Sequence, residues 1–345
     1  MNSINVVLAW RLREDLIQEL RGISPRLRIT DASALLDEER RLGRESRRSV
    51  EHRRASRAAD AVLRDAHVLL SGYRPTSQMP DKMPRLKWVQ QVGAGVDYTL
   101  RKGQIGRGIT LTNARGLSAR PMAEWVVCVM LMFAKRMPLW EERRRAHDCT
   151  RYTSETIPVS MEGMTIGVLG LGAIGTEIAR LSRAMGMRVL ATRRAIRERT
   201  GPTELVDETY PASETDRVLK VSDFVAIALP QTRETVKSFG RRELAMMKPS
   251  AYLINVGRGT IIDEAALVDA LGERRIAGAA LDVFEQEPLP NDSPLWDLDN
   301  LIFSPHISGA VSDSPERMTR IFAENLRRYV ADEPLLHVVD QEAGY

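Results

Sequence analysis

Thr165-Ile166-Gly167-Val168-Leu169-Gly170-Leu171-Gly172-Ala173-Ile174-Gly175 decides the fold of this chain. Thr165 to Leu169 is a short apolar run of strand type, and Gly170, Gly172 and Gly175 follow at the G-x-G-x-x-G spacing. Ile178, Leu181 and Met185 then share one face at helical spacing, Gly186 breaks the helix, and Met187 to Thr192 reads as a second strand. Strand, glycine turn, helix and strand form the setting in which this spacing binds a dinucleotide. Gly170 lets the chain turn sharply, Gly172 lets backbone approach a pyrophosphate, and Gly175 lets helix and sheet pack closely. The N–H groups at the helix start, among them those of Ala173 and Ile174, then face the phosphates at the positive end of the helix dipole.

The second strand ends on Arg193 and Arg194, eighteen residues after Gly175, where an acidic residue is expected. A carboxylate there would bind the ribose 2′-hydroxyl of NAD and repel a 2′-phosphate. A guanidinium fork does the reverse, through parallel charged hydrogen bonds. No Asp or Glu lies between Glu177 and Glu198 to take the other role, so the expected cofactor is NADP(H) ahead of NAD(H).

Working outward, 345 residues allow two domains of ordinary size, and 43% hydrophobic residues suffice for real cores. The net charge of +4 is too small for a nucleic-acid footprint. In the dense stretch Asp37 to Arg57, Glu38, Glu39, Glu45 and Glu51 interleave with the arginines, as on a solvated helix or a mobile loop. The start lacks a basic segment followed by a long apolar one, and the longest apolar run, Trp125 to Phe133, is too short to span a bilayer. The expected location is the cytoplasm, with no membrane and no nucleic-acid partner. Cys128, inside that run, reads as a small core residue, and neither it nor Cys149 has partners at metal-ligand spacing, so no metal is expected.

Strands alternating with helical stretches imply parallel sheets. Leu86 to Val92 is a buried strand closed by Gly93-Ala94-Gly95-Val96-Asp97, whose amides at Ala94 and Gly95 could hold a carboxylate. Pro121 to Lys135 is a long helix, apolar nearly all round and therefore buried between domains or subunits, which Glu141 to Arg145 continues as a charged arm. Further strands end at Leu229-Pro230, at Asn255-Val256-Gly257-Arg258-Gly259, at Asp282, and at Pro305-His306-Ile307-Ser308-Gly309. Carboxyl ends of strands are where open parallel sheets bind ligands.

Three residues there carry chemistry. Arg258 can clamp a carboxylate and a carbonyl with its planar fork. His306 can supply a proton near working pH, and Glu287, bonded to its other ring nitrogen, would fix the tautomer and favour imidazolium. Hydride transfer to a 2-keto acid needs such an anchor, such a proton and a dry site.

The glycine fingerprint, the Gly93–Asp97 turn, Asn255–Gly259, Ala280-Leu281-Asp282-Val283-Phe284 with Glu287-Pro288, and Pro305–Gly309 together resemble the D-isomer-specific 2-hydroxyacid dehydrogenase family, which includes glyoxylate/hydroxypyruvate reductases. The resemblance implies an α/β chain of two doubly wound parallel-sheet domains. A Rossmann-type cofactor domain, 119–310, is inserted in a discontinuous substrate domain, 1–118 and 311–345. It implies Arg258, Glu287 and His306 as the catalytic set, Asp282 near the nicotinamide carboxamide, and the Pro121–Arg145 region as a homodimer contact. The expected cofactor-binding set is Gly170, Gly172, Ala173, Ile174, Gly175, Arg193, Arg194, Leu229, Pro230, Thr235, Val256, Gly257, Asp282, His306 and Gly309, with Ala94, Gly95 and Arg258 on the substrate. The expected activity is hydride transfer between NADP(H) and a small 2-keto or D-2-hydroxy acid. The competing class is a dinucleotide-sensing interaction protein, like the C-terminal-binding-protein corepressors that resemble this family. The absence of a long disordered tail favours the enzyme.

Overall fold

A computed structural model describes residues 3–46, 49–72, 82–96, 99–100, 105 and 108–341. It divides into two compact units, Met1–Leu117 with Val311–Tyr345, and Ser118–Ala310.

The first unit is built on a parallel sheet in the order β2-β1-β3-β4-β5, from β1 (Ile4–Ala9), β2 (Leu27–Asp31), β3 (Val68–Ser71), β4 (Trp88–Gln91) and β5 (Thr110–Thr112). Successive side chains of a strand point to opposite faces. Val6 and Leu8 of β1 accordingly join one buried cluster, with Trp88, Met318, Phe322 and Leu326, while Val7 joins another on the far side with Leu69, Val89 and Leu111. Its helices are α1 (Glu14–Arg21), α2 (Ser33–Glu45), α3 (Val50–Leu63) and, from the far end of the chain, Ser314–Ala331. The charged stretch Asp37 to Arg57 is helical, lying in α2 and α3, with Arg47 and Arg48 outside the described residues. Ala55, Ala59 and Leu63 are buried on α3, and Arg40–Asp37 and Arg41–Glu45 pairs lie along α2. An addition invisible in the pattern is an antiparallel bridge from Val338 to Thr112 at the edge of β5.

The second unit is a seven-stranded sheet among the described residues, every pairing parallel, in the order β12-β11-β10-β9-β6-β7-β8. Its strands are β6 (Thr165–Leu169), β7 (Arg188–Arg193), β8 (Glu208–Pro211), β9 (Phe224–Ile227), β10 (Tyr252–Asn255), β11 (Gly278–Leu281) and β12 (Leu301–Phe303). Helices are α4 (Ala119–Ala134), α5 (Met137–Arg145), α6 (Ala173–Ala184), α7 (Thr215–Leu219), α8 (Arg241–Met246) and α9 (Glu264–Gly272), and the helix at Ser314–Ala331 in the first unit is α10. Val225 and Ile227 of β9 enter one core while Phe224 and Ala226 enter the other, so both faces are covered. That is why these strands read as continuous apolar runs. Strand order reverses between β6 and β9, the switch point whose carboxyl-end crevice takes ligands in such sheets.

The structure departs from the sequence pattern at α4 in two ways. The long helix does not continue into Glu141–Arg145: α4 stops at Ala134, Arg136 turns left-handed (φ 57°), and α5 begins at Met137. Pro138 has no N–H to donate back to Ala134, so the break is written in that residue. Cys128 is not a core residue but exposed on α4, together with Leu131. Cys128 and Leu131 thus leave part of the apolar surface of α4 exposed among the described residues.

Candidate active site

The glycine turn follows β6 at the switch point. Gly170 has φ 100°, and a Cβ there would stand 2.9 Å from the Ala228 carbonyl oxygen at the end of β9. A Cβ on Gly175 would lie 2.1 Å from the Gly170 carbonyl oxygen, whereas one on Gly172 would meet nothing within 4 Å. Two glycines are therefore required by packing, and the middle one faces open space where a phosphate can approach. No side chain caps α6, which begins directly after Gly172. Its first N–H groups are oriented as a phosphate requires, so these residues fit a dinucleotide. Thr192 ties the turn to β7, its carbonyl accepting from Gly170 N–H at 3.2 Å and from Leu171 N–H at 3.1 Å. Arg193 and Arg194, the next two residues, are thereby placed beside the turn, both exposed.

On the other side of the switch point the chemistry-bearing residues gather. Asn255, fully buried at the end of β10, accepts from Gly257 N–H at 3.0 Å and donates to the Arg258 carbonyl at 3.0 Å. This Asx-type turn presents Arg258, partly buried, with one guanidinium nitrogen on the Gly257 carbonyl at 2.9 Å. The next residue, Gly259, abuts the chain after β11, where an added Cβ would fall 1.8 Å from the carbonyl carbon of Phe284. Only glycine lets these two loops touch. From the second loop Glu287 reaches back, accepting from Phe284 N–H at 3.1 Å through Oε1. Its Oε2 lies 2.8 Å from Nδ1 of His306.

Electrostatics follow from these contacts. Hydrogen bonding to Glu287 raises the His306 pKa above the ordinary value, against burial and the nearby Arg258 charge. Burial works to raise Glu287, yet bonds from His306 and the Phe284 amide, with the charges of His306 and Arg258, bring it below the carboxylate range. The pair therefore favours imidazolium with carboxylate. With Nδ1 engaged, Nε2 is the atom that can pass a proton. The two side chains keep 40% and 37% of their surface open, enough for a small reactant to reach them.

His306 itself sits at φ 57°, a conformation uncommon for a residue with a Cβ. Asp282, 1% exposed, holds it there. Its carboxylate accepts from Ser304 Oγ at 2.6 Å, Ile307 N–H at 2.8 Å, Ser308 N–H at 2.9 Å and the Ser308 hydroxyl. Its carbonyl accepts from His306 N–H at 2.8 Å. The carboxylate is thus committed to the turn. Asn255, Ser304 and Ser308 are positioning residues that the sequence reading did not single out. Only the Asn-x-Gly step after β10 offered a signal.

Leu229 and Pro230 follow β9, next to Gly170, while Val256 and Gly257 follow β10. Thr235 uses its hydroxyl to close the turn after β9, donating to the Pro230 carbonyl at 2.7 Å. Gly309 packs on Ser118, 2.8 Å from its Cβ if a Cβ were added. Ala94 and Gly95 belong to the first unit, in the turn after β4. Asn113 Nδ2 donates to the Ala94 carbonyl at 2.7 Å, and the Gln91 amide donates to that of Gly95. Asp97, the last residue of that turn as read in the sequence, lies outside the described residues. Among the described residues no group of three or more His, Cys, Asp or Glu could hold a metal ion, and no helix is long and apolar enough to cross a membrane.

Residues 127–308 match the family model described as D-isomer specific 2-hydroxyacid dehydrogenase, NAD binding domain. A glyoxylate reductase from Thermococcus gammatolerans is 36% identical over 283 residues, covering 81% of this chain and 83% of that one. A D-isomer specific 2-hydroxyacid dehydrogenase family protein from Aeromonas salmonicida aligns with TM-score 0.82 and 31% identity, over 99% of this chain and 100% of that one. The NADPH-dependent glyoxylate/hydroxypyruvate reductase from Sinorhizobium meliloti, in complex with NADP and sulfate, aligns with TM-score 0.79 and 25% identity, over 99% and 100%. With a parallel-sheet dinucleotide fold, an Arg, Glu and His at its strand ends and these likenesses, the chain belongs to the D-isomer specific 2-hydroxyacid dehydrogenase family and is an NAD(P)-dependent enzyme of that class.

Proposed function

We propose that the protein is an NADPH-preferring reductase of small 2-keto acids, with glyoxylate and hydroxypyruvate as the first candidates, yielding D-2-hydroxy acids. The observation that carries this is the 2.8 Å contact of Glu287 with His306 beside Arg258, all in the dinucleotide-binding unit. A bound reduced nicotinamide supplies the hydride for the carbonyl carbon. Arg258 pairs with the substrate carboxylate and polarises the carbonyl. His306 donates its Nε2 proton to the carbonyl oxygen, while Glu287 stabilises the imidazolium and holds the ring in place.

The test is steady-state turnover of glyoxylate and hydroxypyruvate with each cofactor. NADPH gives the higher kcat/KM in the parent, and Arg193→Asp reverses or abolishes that preference, a change of about tenfold or more for one charged pairing replaced by repulsion. Undetectable turnover with every small 2-keto acid would sink the reductase reading, and unchanged discrimination in Arg193→Asp would sink the NADP assignment.

The exposed apolar residues Leu131 of α4, Met137 of α5, and Tyr152, Ile157 and Val159 after it support a homodimer formed through this face. Light scattering is expected to give twice the chain mass of 38.7 kDa. Leu131→Asp is expected to shift it toward the monomer, and a parent that runs as a monomer at micromolar concentration refutes the contact.

A further inference from the structure

Arg193 and Arg194 share their edge of the sheet with a second charged element. Because β6 lies between β7 and β9, the segment after β9 leaves the sheet on the opposite side of the glycine turn from the two arginines. That segment is closed on itself. Thr232 N–H donates to Thr235 Oγ1 at 2.7 Å, and the same hydroxyl donates to the Pro230 carbonyl at 2.7 Å. Arg233 and Glu234 are thereby held exposed at the tip of a tied turn. The Glu234 carboxyl lies below its usual range through hydrogen bonds to Thr232 and to its own backbone, then through the charges of Arg194 and Arg233. The ends of β7 and β9 thus flank the glycine turn after β6, with Arg193 and Arg194 on one side and the tied Arg233–Glu234 tip on the other.

We infer that Glu234 is a built-in counter-ion for the arginine cluster that receives the 2′-phosphate, and that Arg233 is the third guanidinium of that cluster. The inference rests on the NADP reading above. A dinucleotide carrying the phosphate meets three guanidiniums, and its charge replaces that of Glu234 as their partner. One lacking the phosphate leaves Glu234 in place, so the arginines are neutralised rather than set against one another beside an uncharged ribose. Arg233 and Glu234 thus set how far the enzyme discriminates, where Arg193 and Arg194 set the direction. Neither residue touches the reacting atoms, so the signature belongs in cofactor binding and not in the chemical step.

Titration of nicotinamide fluorescence with NADPH and with NADH, at one ionic strength, separates the possibilities. Glu234→Gln is expected to tighten NADPH about threefold and weaken NADH by a similar factor, and Arg233→Gln to weaken NADPH about fivefold with NADH unchanged, the range of single exposed charge pairs. An unchanged ratio of the two dissociation constants in Glu234→Gln overturns the counter-ion role, and in Arg233→Gln it overturns the third guanidinium. Arg193→Asp is measured beside them. If it moves the ratio and the other two do not, this inference alone falls; if it too leaves the ratio unmoved, the 2′-phosphate reading falls first.

Discussion

His306→Gln lowers kcat for 2-keto acid reduction by about 10²- to 10⁴-fold, the usual worth of a positioned general acid, and leaves dinucleotide binding largely intact. The amide is close in size to the imidazole and can still bond Glu287, so the loss isolates the proton. The pH profile carries the same information with a sign. Reduction consumes imidazolium, so kcat/KM is flat at low pH and falls as pH rises through the His306 pKa, which hydrogen bonding to Glu287 sets above the ordinary value of about 6.5. Oxidation of the hydroxy acid needs neutral imidazole and rises through the same region. In Glu287→Gln the chief cause of the raised pKa is gone, while burial and the Arg258 charge still push it down. The fall in reduction therefore moves to lower pH, and the rate at neutral pH drops with it. A Glu287→Gln profile superimposable on the parent's would remove Glu287 from the mechanism, and a His306→Gln enzyme with parent kcat would remove the histidine.

Much of this was legible because the fold repeats a local rule. Each strand buried on both faces is an apolar run, and each candidate residue stands just after one, so the order of strand ends gave both the sheet and the site. What escaped reading depends on what a residue meets in space. Cys128 sits in an apolar run like any core strand's, but its side chain faces outward from α4, and only the packing of Val126, Val129 and Met130 tells which face is inside. Gly259 looks like a flexible partner of Arg258, whereas its necessity comes from Phe284, twenty-five residues on, passing within reach of a missing Cβ. Ser304 and Ser308 are ordinary in a turn until the buried carboxylate that they serve is seen.

That carboxylate supports the second large effect. Asp282→Ala is expected to cost about 3–5 kcal/mol of stability, since two N–H groups and two hydroxyls lose a buried charged acceptor together. It also lowers kcat, by about 10- to 100-fold, because only the backbone bonds of His306 N–H and the Glu287 contact then hold the turn at φ 57°, a conformation whose strain is of order 1 kcal/mol. Asp282→Asn keeps one acceptor oxygen for the Ile307 and Ser308 amides and asks the serine hydroxyls to turn, so it falls between alanine and the parent on both measures. Ser304→Ala removes one of the four bonds and costs only about 0.5–1.5 kcal/mol. The order of the three variants is what separates a clamp on the histidine turn from a general loss of packing. Loss of packing would make stability and kcat fall by volume removed, and Asp282→Asn, which removes none, would match the parent. Thermal melting and single-turnover reduction at saturating cofactor read the two quantities separately. If Asp282→Ala melts with the parent and turns over at the parent rate, the turn at His306 holds itself and the buried aspartate does not position it.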